Sequence, residues 1–107
     1  MTCSELTTQI NMLNASIAGL NANIATYDSL IAIQKIQCIA QDQNPPNPFT
    51  YTSAVARLEQ LTPPAPPYGA YVYMVLLYSQ QGQFVQARDM SVIQRDILQA
   101  QFVSQGC

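Results

Sequence analysis

Apolar residues recur at alternating steps of three and four from Cys3 to Cys38, and a stripe with that period belongs to a long helix pressing one seam against another helix. Five heptads carry it, beginning at Ile10, Ile17, Ile24, Ile31 and Cys38. With these at position a, the d positions are Leu13, Leu20, Tyr27 and Gln34, and the frame extends back through Leu6 to Cys3. The stripe predicts assembly, with Leu6, Ile10, Leu13, Ile17, Leu20, Ile24, Tyr27 and Ile31 as the oligomer interface. Ile at a with Leu at d favours parallel pairs, while Tyr27 and Gln34 disturb that preference, so dimer and trimer both stand. An antiparallel fold-back of the chain's own helices over the seam stands beside them.

The helix should begin almost at once. Thr2 and Glu5 have capping-box spacing, and Met1 with Leu6 fits a hydrophobic staple. It should end near Gln41 or Gln43, because Asn44-Pro45-Pro46-Asn47-Pro48 removes backbone donors and blocks helical geometry. Such a helix is about 58 Å long at 1.5 Å per residue. Up to Asn23 the apolar positions are nearly confined to the seam. Beyond Tyr27, Leu30, Ile33, Ile36 and Ile39 spread around the helix, which predicts that later segments cover this half.

Those segments are broken by proline. Tyr51, Val55, Leu58 and Leu61 have helical spacing after Thr50 or Thr52 and stop at Thr62-Pro63. Pro63 to Pro67 reads as a polyproline II spacer. Tyr68 to Gln81 is apolar on all sides, and its Leu, Met and Ala content favours a buried helix over a strand. Gly82 is read as a turn into a last helix, Gln83 to Ser104. There Met90, Ile93, Ile97 and Ala100 form one stripe, with Phe84, Val85, Val92, Phe102 and Val103 largely opposite. The fold expected is all-α and one domain, with a coiled-coil helix over 1–43. Residues 44–107 form a C-terminal helical bundle packed on the distal half of that rod.

Function is constrained mostly by exclusion. Four Lys and Arg are scattered among 107 residues with a formal net charge of -2, which gives no cluster of cations for phosphate and predicts no nucleic-acid partner. The longest apolar run, Ala70 to Tyr78, is too short to span a bilayer, and the first residues lack a signal-peptide pattern. No His is present for general base work, and the six carboxylates show no paired spacing, so no enzyme is predicted. Without His or a CxxC pair no metal or other cofactor is expected. Arg88-Asp89 and Arg95-Asp96 repeat at seven residues, outside the spacing that pairs charges within a helix, and suggest partners on another helix or subunit.

Three cysteines remain. Cys3 and Cys38 are about 52 Å apart on one helix and cannot bond to each other. Cys38 reads as a small core residue. Cys3 and Cys107 are the candidates for cross-links between chains. Polar surface is supplied by amides, 14 Gln and 6 Asn, with little net charge to oppose association. These features predict a structural subunit of a homo-oligomeric assembly that also contacts other structural proteins. The concrete form is a component of a bacteriophage or virus particle (capsid-decorating, collar, tail or fibre-attachment), placed in a virion or other extracellular assembly. The alternative is a helical adaptor or assembly chaperone that offers an apolar groove to a partner helix.

Overall fold

The computed structural model describes residues 1–107, which form three helices and no strand: α1, Cys3–Gln41; α2, Tyr51–Gln60; and α3, Tyr68–Ser104. The capping box forms at the start of α1. The Glu5 backbone N–H donates to Thr2 Oγ1 at 3.1 Å, and the Thr2 N–H donates to Glu5 Oε1 at 3.3 Å. Two donors that helix geometry leaves unpaired are satisfied this way. At the other end α1 stops at Gln41, ahead of the first proline pair.

Thr50 caps α2. Its hydroxyl accepts from the Ser53 N–H, and Ser53 Oγ accepts from the Thr50 N–H in return. Serine here does what Glu or Gln usually does at the third helical position. Leu61 closes the helix in an extended conformation. Residues 63–67 then form turns, closed by the Tyr68 N–H donating to the Ala65 carbonyl at 3.0 Å, and not the polyproline II spacer expected from their composition. The peptide bonds before Pro48, Pro64 and Pro67 are cis.

Tyr68 to Gln81 is helical, as its Leu, Met and Ala content indicated, but no turn follows it. Helix α3 continues through Gly82 to Ser104, so the C-terminal part holds two helices and not three. A single interior glycine costs a helix only about 1 kcal/mol relative to alanine, and strong helix formers flank this one.

Both long helices pass through two compact units. The first joins Met1–Ile24 to Gln83–Cys107, and the second comprises Ala25–Gly82. In the first unit α1 and α3 pack antiparallel. Leu6 is fully buried and Ile17 nearly so. In the second unit α2 packs with both long helices, and Cys38, Ala54, Tyr71 and Met74 make a fully buried core. Ile31, Phe49, Leu58, Leu61, Val75 and Tyr78 surround it. The rings of Phe49 and Tyr71 stack at 6.0 Å, while Tyr51 meets Tyr78 edge-on at 5.9 Å.

Candidate assembly interface

The seam expected to join separate chains is used within this one. Leu6 and Ile17 are buried, and Ile10, Leu13, Leu20, Ile24, Tyr27 and Ile31 are half-buried in the single chain. The correction has a simple cause. A narrow a/d stripe is satisfied by any helix with a matching stripe, and α3 has one at a high local concentration. Tyr27, an irregular residue in a parallel seam, uses its hydroxyl to donate to Gln80 Oε1 at 2.9 Å. Gln34, the other irregular d residue, donates from Nε2 to the Ala70 carbonyl at 2.9 Å.

The cross-link is corrected in the same sense. Cys3 and Cys107 form a disulfide with each other, not with a neighbouring chain, with their Cα atoms 5.8 Å apart. Antiparallel packing brings the start of α1 beside the residues that follow α3, so the two sulfurs meet without leaving the chain. Cys38 stays a free thiol in the core. Burial, followed by the nearby Asp42 charge, pushes its pKa up to about 11.

Amide rungs define the antiparallel register. In the first unit Arg95 Nη1 donates to Asn14 Oδ1 and Arg88 Nη1 donates to Asn21 Oδ1, both at 3.3 Å. Both members step by seven residues, so the arginine repeat of α3 matches the e positions of α1. Each arginine also meets the adjacent aspartate, Arg88–Asp89 and Arg95–Asp96, at 3.1 Å. Those neighbouring pairs were not expected from the sequence, because i,i+1 side chains diverge on a helix. In the second unit Gln81 Nε2 donates to Asp28 Oδ1 at 2.7 Å.

One charged cluster was not anticipated at all. Asp42, the residue after α1, has only 1% of its side chain exposed. Arg57 of α2 donates to it through Nε and Nη2, both at 2.8 Å, and the Tyr71 hydroxyl of α3 donates at 2.7 Å. The Asn44 N–H adds a fourth bond at 3.0 Å. A bidentate guanidinium and two further donors satisfy both carboxylate oxygens. The Arg57 hydrogen bonds hold the Asp42 carboxyl well below the usual carboxylate range, against the opposing effect of burial. Burial and then the Asp42 hydrogen bond push the Tyr71 hydroxyl above its ordinary value. Asp42 therefore joins all three helices of the second unit. The sequence signal was its place between a helix end and a proline run, with Arg57 the lone cation of α2.

Surfaces facing away from the seam are the remaining candidates. Leu30, Ile33, Ile36 and Ile39 were expected to lie beneath the C-terminal helices, yet all are exposed, Ile33 and Ile36 by 60% and 65%. The reason is that α2 and α3 pack on the seam side of α1, around Cys38, leaving the opposite side bare. On α3, Val72, Tyr73 and Leu76 are also exposed. The stripe of Met90, Ile93 and Ile97 is more than half exposed, while Phe84, Val85, Val92 and Phe102 of the same helix are half-buried. In the first unit a groove of about 590 Å³ has Leu13 and Leu98 among its lining, with Met12 and Ile97 beside them.

No group of three or more His, Cys, Asp or Glu side chains lies placed to hold a metal ion, and no helix is long and apolar enough to cross a membrane. Compared with family models, with curated proteins and with solved structures, the chain matches none.

Proposed function

We propose that this chain is a structural subunit of a homo-oligomeric assembly, and specifically a component of a bacteriophage or virus particle in a decorating, collar, tail or fibre-attachment position. One observation carries the assembly reading. Ten large apolar side chains on the outer sides of α1 and α3 remain exposed after the chain has filled its own seam: Met12, Leu30, Ile33, Ile36, Ile39, Val72, Leu76, Met90, Ile93 and Ile97. Single exposed apolar residues are ordinary on soluble proteins, but rows of them on one helix side mark contact surfaces.

The particle reading is supported by the rest of the surface. It is rich in amides and poor in charge, so burial against identical neighbours desolvates few ions. A disulfide between Cys3 and Cys107 also suits an assembly that persists outside a reducing compartment. The test is sedimentation velocity of the oxidised protein over a wide concentration range, with negative-stain microscopy of whatever forms. Ordered species larger than a monomer are expected. A monomer at every concentration overturns the proposal.

The groove beside Leu13 and Leu98 favours a second reading, an adaptor that receives a partner's amphipathic helix. It predicts a monomer whose groove amides gain hydrogen-exchange protection only when a partner helix is added.

A further inference from the structure

We propose that the Cys3–Cys107 bond is a site of thiol–disulfide exchange with a fixed direction, in which an incoming thiolate takes the Cys107 sulfur and Cys3 is the group that leaves. The incoming reagent is a low-molecular-weight thiol of the glutathione kind. Its adduct therefore sits on Cys107. The site is the bond itself, and the two helix ends that the bond joins set its direction.

Three features make the bond reactive in this way. Both cysteines are exposed, so a thiol in solution reaches them, and access is one of the factors that set the rate of exchange. The third sulfur does not compete, because Cys38 is a fully buried thiol in the other unit. What the bond fastens is lightly held: of the residues in Met1–Ile24 and Gln83–Cys107, only Leu6 and Ile17 are buried. Opening it leaves α1 and α3 of this unit joined by half-buried side chains and the two arginine–asparagine rungs.

Direction comes from the antiparallel packing, which places opposite helix ends at the two sulfurs. Cys3 is the first residue of the 39-residue α1, directly after the Thr2 cap. Negative charge that develops on its sulfur is favoured by the positive end of the helix dipole. Cys107 follows the other end of a helix. Its N–H donates to the Phe102 carbonyl at 3.2 Å and the Gly106 N–H donates to the Val103 carbonyl at 3.0 Å, which is a Schellman end to α3. Gly106, with φ of 76°, is the residue that admits this turn, and the turn carries Cys107 across to Cys3. Charge on the Cys107 sulfur would sit at the negative end of the dipole. Side-chain charge opposes this at one place only: Glu5 is the sole charged residue among 1–10, its Oε1 accepting from the Thr2 N–H, and 97–107 hold none.

A sulfur leaves faster the better it carries negative charge, so Cys3 is the better leaving group of the pair. In the first step the lone pair of the incoming thiolate forms a bond to Cys107 Sγ, the Cys3–Cys107 bond breaks, and its electron pair departs on Cys3 Sγ. The product is a mixed disulfide at Cys107 with Cys3 as a thiolate. Cys3 stays beside the adduct and can expel it again, so the step is reversible. A second thiolate attacks the carrier's sulfur instead, releasing Cys107 and the disulfide of the carrier. Two thiols are oxidised as one protein disulfide is reduced, and the two protons they lost on ionising end on the Cys3 and Cys107 sulfurs. The level of free thiol thus decides whether this unit is fastened.

The test exposes the full oxidised chain to glutathione, quenches with acid at early times, alkylates the free thiol under mildly acidic conditions and maps both groups by peptide mass spectrometry. In the folded protein, glutathione on Cys107 with the alkyl group on Cys3 is expected to exceed the reverse pattern by about threefold or more. Because helix-end charge is screened by salt, the excess should narrow at about 1 M salt, which a difference in access alone would not produce. In concentrated urea, where the helices are gone, the two patterns should approach parity. Parity or the reverse pattern in the folded protein overturns the proposal. So does an excess that survives salt or urea, glutathione found on Cys38, or a bond that glutathione does not open.

Discussion

The two units of this molecule solve the same packing problem with different means. In Ala25–Gly82 a third element, α2, closes over the seam, and four residues are buried completely around Cys38 and Tyr71. In the other unit only two helices are present, most seam residues remain half-exposed, and the Cys3–Cys107 bond fastens the end. A pair of helices cannot shield its seam on all sides, so it needs a covalent staple, a partner, or both. The second unit is held by burial and a buried ion pair, and the first by a cross-link and amide rungs.

The largest effect should come from breaking that staple. The bond closes a loop of 104 residues, for which the chain-entropy relation gives about 4–5 kcal/mol. Reduction, or Cys3→Ser, should lower the melting temperature by more than 10 °C in a domain of this size. Hydrogen exchange should show amides of 3–20 and 84–104 losing protection before those of 28–40 and 70–80. Uniform loss across both units would contradict the division.

Asp42→Ala probes the other unit. Arg57 and the Tyr71 hydroxyl would lose their shared acceptor, which costs about 3 kcal/mol in chemical denaturation for a buried pair broken on one side. The same carboxylate predicts a pH dependence. Its folded pKa lies below the unfolded value, so its contribution is complete above about pH 5 and is lost as pH falls through the acid range. Stability should drop by about 2 kcal/mol between pH 5 and pH 2 in wild type. Little of that drop should remain in Asp42→Asn.

Thiol chemistry gives a sharper count than an energy. With burial raising its pKa to about 11, Cys38 should not react with Ellman's reagent at pH 8 in the folded oxidised protein. One thiol per chain should appear on denaturation, and three after reduction as well. Fast reaction of the folded protein would show that the core around Tyr71 opens readily.

The smallest effect is expected at the rungs. Arg95→Ala removes one hydrogen bond to Asn14 and an exposed pair with Asp96, together about 0.5 kcal/mol or less. A larger loss would mean that the first unit relies on its rungs more than on its disulfide.

Much of this organisation could be read beforehand, for local reasons. Thr2 with Glu5, the proline run after Gln43 and the Thr50 cap act within a few residues, so the boundaries of α1 and α2 were visible. The partner of the seam was not, because Ile and Leu at a and d fit a second chain or a returning helix equally well. Gly82 misled through its weak propensity, which a long well-packed helix overrides. Asp42 was missed because burial of a charge depends on Arg57 and Tyr71, 15 and 29 residues away. The arginine repeat was visible as a repeat, but its meaning depended on the antiparallel register with Asn14 and Asn21. The outer stripe at Met90, Ile93 and Ile97 was legible as a stripe, and only the fold shows that the chain itself does not cover it.

The claim that those outer sides are contact surfaces is tested most directly by the mass of the oxidised wild-type protein as a function of concentration, measured by sedimentation or light scattering. A mass that rises above one chain as concentration increases is the expected result. A mass of 11.8 kDa at every concentration would contradict it.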